Sequence, residues 1–219
     1  MSRVSYAAAA ATLGLALVLV GCAPPAPHPT ASPPSSKAAT SSAQPTSSAQ
    51  PSGAVAPQKP VKPENNPVGD IPDDQAFVSY TAGGLITLVL PEGWSRTVGA
   101  NSVEFSDKLN TIQLAWGAST SAPTAASVRS VDVPKLSSSG LAFKLTSVKA
   151  VTLPDGPAVL ARYQVNSAPN AVTGKQYRLD VERYSIFKGG HRVDLTLLSP
   201  VGADNVDVWR IVSGSMEWK

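Results

Sequence analysis

Few side chains in this 219-residue sequence are of kinds that do chemistry, and their spacing limits what each can do. There is one cysteine, Cys22, and there are two histidines, His28 and His191. A zinc site needs three or four converging His, Cys or acidic ligands. His28 lies in a Pro/Ser-rich tract and His191 beside Gly189-Gly190, neither with such company, so no metal is expected. A Ser-His-Asp relay has only His191 to use, and Asp194, three residues on, falls on the opposite face of a regular strand. Ser185-Ile186-Phe187-Lys188 carries an S-x-x-K spacing, which sets a lysine beside a nucleophilic serine only across a helical turn. That stretch reads as strand. Asp180, Glu182 and Asp194 can approach one another across neighbouring strands as an acid/base pair. Arg178, Arg183 and Arg192 interleave with them, however, as on a solvated, ion-paired sheet face. Gly-rich phosphate cradles, nucleophile elbows and calcium loops are missing. The sequence names no catalytic residue and no cofactor, and the chain is expected not to be an enzyme.

The cysteine is different, because its neighbours give it a role. Arg3 supplies a positive start, Ala7 to Val20 form an apolar run, and small Gly21 precedes Cys22, the three-part layout of a secretory signal. A spanning helix needs roughly 20 apolar residues, which this run does not reach. A buried helix is equally unsuited, since the Pro/Ser/Ala tract that follows offers it nothing to pack against. Leu19-Val20-Gly21-Cys22 resembles the bacterial lipobox. That resemblance implies cleavage between Gly21 and Cys22, a thioether from the Cys22 sulfur to diacylglycerol, and acylation of the new amino terminus by a fatty acid such as palmitate. Each buried methylene contributes about 0.8 kcal/mol, and two or three chains together hold durably where one does not. The expected location is the cell membrane, lipid-anchored on its extracytoplasmic face. With no second cysteine an internal disulfide is impossible, so the folded part must rely on its core.

Three regions follow: a lipoprotein signal peptide over 1–21, a disordered tether over 22–70 and a globular domain over 71–219. The stretch from Ala23 to Asp70 holds 12 of the 20 prolines and no aromatic residue. Ordering such a chain costs roughly 1–2 kcal/mol per residue with little burial to offset it. Its Pro-rich parts favour polyproline II, giving a semi-rigid spacer with a reach on the order of 100 Å. From Ile71 on lie every tryptophan and phenylalanine and all the tyrosines but Tyr6, with 14 Lys/Arg against 13 Asp/Glu. The domain is therefore nearly neutral and shows no nucleic-acid footprint.

Most of the domain reads as strand. Ala76 to Tyr80 and Leu85 to Leu90 flank Gly83-Gly84, and Pro91-Glu92-Gly93 marks a turn. Ser102 to Ser106 and Asn110 to Trp116 form a hairpin. Ala142 to Leu153 and Ala158 to Asn166 flank Pro154-Asp155-Gly156-Pro157, and Gln176 to Lys188 and His191 to Leu198 flank Gly189-Gly190. Between them, one or two helical turns are expected after Thr124 or Asp132, with Pro134 tolerated only in a first turn. Tyr177 to Tyr184 alternate apolar and charged, as in a sheet with one covered and one wet face. A C-terminal amphipathic helix, capped by Asp204 or Asn205 and bearing Val206, Trp209, Ile211 and Val212, is expected to cover the apolar face. The fold class is α+β, a mainly antiparallel sheet covered by helices.

Leu90-Pro91-Glu92-Gly93-Trp94, Val103-Glu104-Phe105-Ser106-Asp107, the long hairpins and the closing helix with Trp209 to Ser213 resemble the PsbP/Mog1-like α/β/α sandwich. Actinobacterial lipoproteins of this kind are the particular likeness. The resemblance implies a non-catalytic binding or assembly module, since PsbP serves photosystem assembly and Mog1 binds a small GTPase. The expected partner is a protein of the cell envelope. Two other readings stay open: a carrier of apolar ligands, which needs a sizeable apolar cavity, and an envelope hydrolase centred on His191. Trp94, Trp116 and Trp218 are core positions or the lip of a cleft between layers.

Overall fold

The turn signals of the sequence set the hairpins of the fold. A computed structural model describes residues 58–219 of the chain. Gly21 and Cys22, the signal peptide and most of the tether lie outside these residues. Ten strands, β1 (Phe77–Ala82), β2 (Ile86–Pro91), β3 (Ser95–Val98), β4 (Ser102–Asp107), β5 (Asn110–Ala118), β6 (Lys144–Leu153), β7 (Gly156–Asn166), β8 (Arg178–Lys188), β9 (His191–Pro200) and β10 (Glu217–Trp218), make two sheets. The larger runs β3-β4-β5-β9-β8-β7-β6, antiparallel throughout, and the smaller runs β1-β2-β10. Every expected hairpin is present. The splitting of β1 and β2 into a separate sheet, closed by the C-terminal β10, is not foreshadowed by the pattern.

The small sheet and α3 (Val206–Gly214) lie together on one face of the large sheet. The main core between them includes Ile86, Leu88 and Leu90 of β2, Ile112 and Leu114 of β5, Val193, Leu195 and Leu197 of β9, and Trp209 and Val212 of α3. Burying each such side chain contributes about 1.5–3 kcal/mol. On α3 the buried positions are Val208, Trp209, Val212 and Ser213, whereas Val206 and Ile211 point outward. Asn205 precedes the helix but makes no side-chain capping bond.

The opposite face is covered only in part. One helical segment crosses it: α1 (Ala125–Ser127), a π-helical turn (Val128–Asp132) and α2 (Val133–Ser139). Thr124 and Ser127 form a reciprocal capping box at its start. Pro134 has no N–H to give to Ser130, and it sits in the first turn of α2 directly after the widened turn. Val128 packs on Val148, Val159 and Ala161 as a second, small cluster. The sandwich with helices on both sides is thus a lesser feature than expected: a second sheet does much of the covering on one face, and a short segment covers part of the other.

The alternation in β8 also divides between layers. Leu179 and Val181 share a face with Val165 and Tyr163 of β7, and Tyr163 stacks on Phe143 at 5.0 Å. The C-terminal helix instead meets Tyr184 and Ile186 on the other face. The apolar stripe read from Tyr177 onward is therefore covered from the side opposite α3.

The folded unit begins ahead of the expected boundary at Ile71. Residues 58–71 are hydrogen-bonded along the domain through Asn166, Asn205 and Asn110. Side-chain amides far along the sequence order this stretch, which has little apolar content of its own.

Candidate functional site

Beyond α3, the same face of the sheet stays open over β7 and β8 and forms a groove of about 650 Å³. Its floor is set by register. Arg162 lies opposite Glu182 and Gln164 opposite Asp180, so each polar pair shares the face. Arg162 Nη2 meets Glu182 Oε1 at 2.7 Å, and Gln164 Nε2 donates to Asp180 Oδ1 at 2.8 Å. The other Glu182 oxygen accepts from the Tyr184 hydroxyl at 2.7 Å. From α3 come Trp209, Arg210 and Ser213, with Val206 at the rim. Trp209 itself rests edge-on against Trp94, with ring centres 6.4 Å apart.

Burial raises the Tyr184 phenol, and Glu182, as acceptor and as charge, raises it further, to about 12. Tyr184 is therefore a fixed donor at ordinary pH. The groove combines an ion pair, a neutral phenol, an indole wall and the exposed guanidinium of Arg210, which pairs with Asp207. Such a surface can orient a polar partner by charge and hydrogen bonding while gaining apolar contact from Trp209 and Val206.

A second polar constellation sits on the opposite face. Asp194 Oδ1 accepts from the Ser185 hydroxyl and from Arg192 Nε and Nη2 at 3.1 and 2.9 Å, and its Oδ2 from Arg183 Nη2 at 2.9 Å. Arg192 Nη2 also reaches Asp132 Oδ2 at 2.9 Å, joining the helical segment to β9. Arg183 Nη1 donates to Thr196. Burial opposes the Arg192 charge, but Asp194 and Asp132 outweigh it and hold its proton more tightly than usual. Ser185 is 1% exposed, and its hydroxyl is engaged with a carboxylate bridged by two arginines. This is a brace between layers.

The residues singled out from the sequence are dispersed. Asp180 and Glu182 face the groove while Asp194 faces the brace, so the three carboxylates do not converge. His191 is exposed at the start of β9, and Asp194 points to the other side of the strand, as its spacing requires. Ser185 and Lys188 likewise lie on opposite faces of β8. Among the described residues no three His, Cys, Asp or Glu side chains gather into a metal-binding group. Trp94 packs at the core edge, Trp116 lies over Gly83, and Trp218 lines a small cleft of about 170 Å³ beside Asp155. Arg162 and Tyr184 are groove residues that the sequence did not single out. Their partner Glu182 lies across a strand pair or two positions along, where no local motif marks it.

No family model matches the chain, and none of the curated proteins does. Among solved structures, the solution structure of a cyanobacterial PsbP from Synechocystis superposes with a TM-score of 0.50 at 13% identity, covering 70% of this chain and 100% of that one. A structure from Bacteroides thetaiotaomicron gives 0.43 at 12% identity, over 64% of this chain and 47% of that one. The Ran-binding protein Mog1p of Saccharomyces cerevisiae gives 0.39 at 10%, over 58% and 78%. The chain thus spans about half the length of the Bacteroides structure. At these identities the likeness concerns architecture alone, and of these three structures the cyanobacterial one is similar enough in shape to carry it. The described domain has a PsbP-like, mostly antiparallel fold.

Proposed function

We propose that the chain is a lipoprotein, anchored through Cys22 on the extracytoplasmic face of the cell membrane, and that its domain is a non-catalytic module binding a protein of the cell envelope. The observation that carries the binding role is the groove beside α3, with Arg162, Glu182 and Tyr184 in its floor and Trp209 and Arg210 in its wall. The ion pair in its floor gives a polar partner charge to meet, beside apolar lining from Trp209 and Val206. The resemblance of Leu19 to Cys22 to a lipobox supports the anchor, and the PsbP-like architecture is compatible with an accessory role.

Two measurements test this. Cys22→Ser is expected to abolish acylation and move the protein out of the membrane fraction; unchanged fractionation removes the anchor. A photo-crosslinker at Val206, on the groove rim, is expected to capture one discrete envelope protein that a crosslinker at Lys108 does not. The same capture from both positions, or none from Val206, removes the groove as the binding surface.

A further inference from the structure

Residues 58–71 run along the domain as a strap, and two buried asparagines hold it in the same way. Asn166 Nδ2 donates to the Lys59 carbonyl at 2.9 Å, and its Oδ1 accepts from the Val61 N–H at 3.1 Å. Asn205 Nδ2 donates to the Gly69 carbonyl at 2.9 Å, and its Oδ1 accepts from the Ile71 N–H at 2.8 Å. Each amide pairs with a carbonyl and with the N–H two residues on. This fixes direction and register through the main chain, independently of the side chains passing by.

The two stations differ in their surroundings. At the inner one, Gly69 and Ile71 are buried, Ile71 belongs to the main core, and Asn110 adds a bond to the Gly69 carbonyl at 2.7 Å. At the outer one, no residue from 58 to 64 is buried. Besides Asn166, the outer strap is held by a bond from Gln176 to Gln58 and by the Glu64–Lys175 ion pair. Few apolar contacts and solvent-exposed polar ones mark a segment that opens ahead of the fold as a whole.

The outer station also holds a buried arginine. Asn166 and Arg178 are each 4% exposed, and Arg178 Nη1 already donates to Asn166 Oδ1 and to the Ala142 carbonyl. The other terminal nitrogen, Nη2, is buried with no partner among the described residues. Losing the strap removes two hydrogen bonds from the Asn166 amide, and an extended segment offering the same carbonyl and N–H restores both.

We propose that the Asn166 station accepts the strap of a second copy of this chain, linking copies strap to station, with Asn65 to Val68 as the hinge while Gly69 to Ile71 stay seated. The second copy's strap fits by construction. It offers the same carbonyl and N–H, the same Gln58 for Gln176 and the same Glu64 for Lys175. Pro60, Pro63 and Pro67 restrict it to extended backbone, which limits the entropy lost on docking to either copy. In dilute solution the cis strap holds the site through its effective concentration, on the order of millimolar for a short link. Exchange takes over when copies are crowded to a comparable density. The inference stands apart from the groove beside α3 and does not depend on it.

Complementation of full-length chains in detergent tests it. Val61→Pro removes the N–H that Asn166 accepts, leaving a station without its strap. Asn166→Ala leaves a strap without its station. Each alone is expected to sediment as a monomer with hydrogen exchange at residues 58–64 raised roughly ten-fold over the wild type. Mixed in equal amounts, they are expected to form a heterodimer in which exchange falls again over 58–64 of the N166A chain, whose intact strap meets the intact station of the V61P chain. A mixture that stays monomeric with unchanged exchange overturns the proposal, as does a V61P chain that keeps full protection at 58–64 on its own. Because Asn166→Ala also strips a partner from buried Arg178, a second pair uses positions outside the buried station. E64K and K175E each oppose like charges within one copy, whereas exchange between the two variants pairs opposite charges at both stations. At low salt a mixed dimer enriched over either homodimer supports exchange, and a mixture without that enrichment overturns it.

Discussion

Asn205 gives its side chain to Ile71 and not to the helix it precedes: its Oδ1 accepts from the Ile71 N–H at 2.8 Å, and no side-chain bond caps α3. The same amide donates to the Gly69 carbonyl and to Asn110 Oδ1 at 3.0 Å. One residue thereby joins the strap, the start of β5 and the entry to α3, at 2% exposure.

Asn205→Ala is accordingly expected to lower the stability of the domain by about 2–4 kcal/mol, since several buried polar groups lose partners together. Asn205→Ser separates this from capping. Serine is a good N-cap residue, so an ordinary cap position tolerates it. The expected outcome is a urea-unfolding midpoint for N205S close to that of N205A and well below wild type. A midpoint for N205S at the wild-type value removes the strap-holding role.

How far the sequence revealed this architecture depends on how local each signal was. Gly83-Gly84, Pro154 to Pro157 and Gly189-Gly190 each carry their hairpin within a few residues, and β1, β2 and β4 to β9 follow the expected runs. By contrast β3 is exposed along its whole length, and β10 has only two residues, too few for a period to appear. The β8 pattern was real but belonged to two layers, because Leu179 and Tyr184 sit on opposite faces and no alternation says which layer covers which face. The strap was hidden because its amides act over long separations: Val61 and Asn166 are 105 residues apart and Ile71 and Asn205 are 134 apart. The groove was partly legible as a charged sheet face. What the spacing of Glu182 does not carry is its meeting with Arg162, which follows from strand register.

Asp194 is the carboxylate on which the brace depends. It meets Arg183 and Arg192 with 14% of its side chain exposed. Asp194→Ala leaves two largely buried guanidinium groups without their main counter-charge, a change expected to cost about 3–5 kcal/mol. Asp132→Ala removes only the contact from Arg192 to the helical segment. Its expected signature is local: faster hydrogen exchange over 125–139 with the sheet still protected. Thermal unfolding and exchange together decide this. A loss below about 1 kcal/mol for D194A makes the cluster equivalent to a surface ion pair and removes its bracing role.

Tyr184 gives the domain an alkaline limit whose sign follows from its environment. Burial first, and then the hydrogen bond and charge of Glu182, raise the phenol from 10.0 to about 12. Between those values the native state keeps a proton that the unfolded chain has lost, so unfolding becomes easier as pH rises through the window. The contribution is complete below pH 10.0 and gone above about 12. Burial raises the Tyr163 phenol too, with the same sign. Tyr184→Phe removes one share of the effect, so its unfolding free energy should fall less steeply across this window than that of the wild type, from a lower starting value because Glu182 loses a donor. Urea unfolding at a series of alkaline pH values measures both slopes, and ultraviolet difference absorbance follows the late phenolate directly. Equal slopes for wild type and Y184F show that the groove phenol does not carry the shift. In that case Tyr184 ionises within the ordinary range, and its role as a fixed donor to Glu182 fails with it.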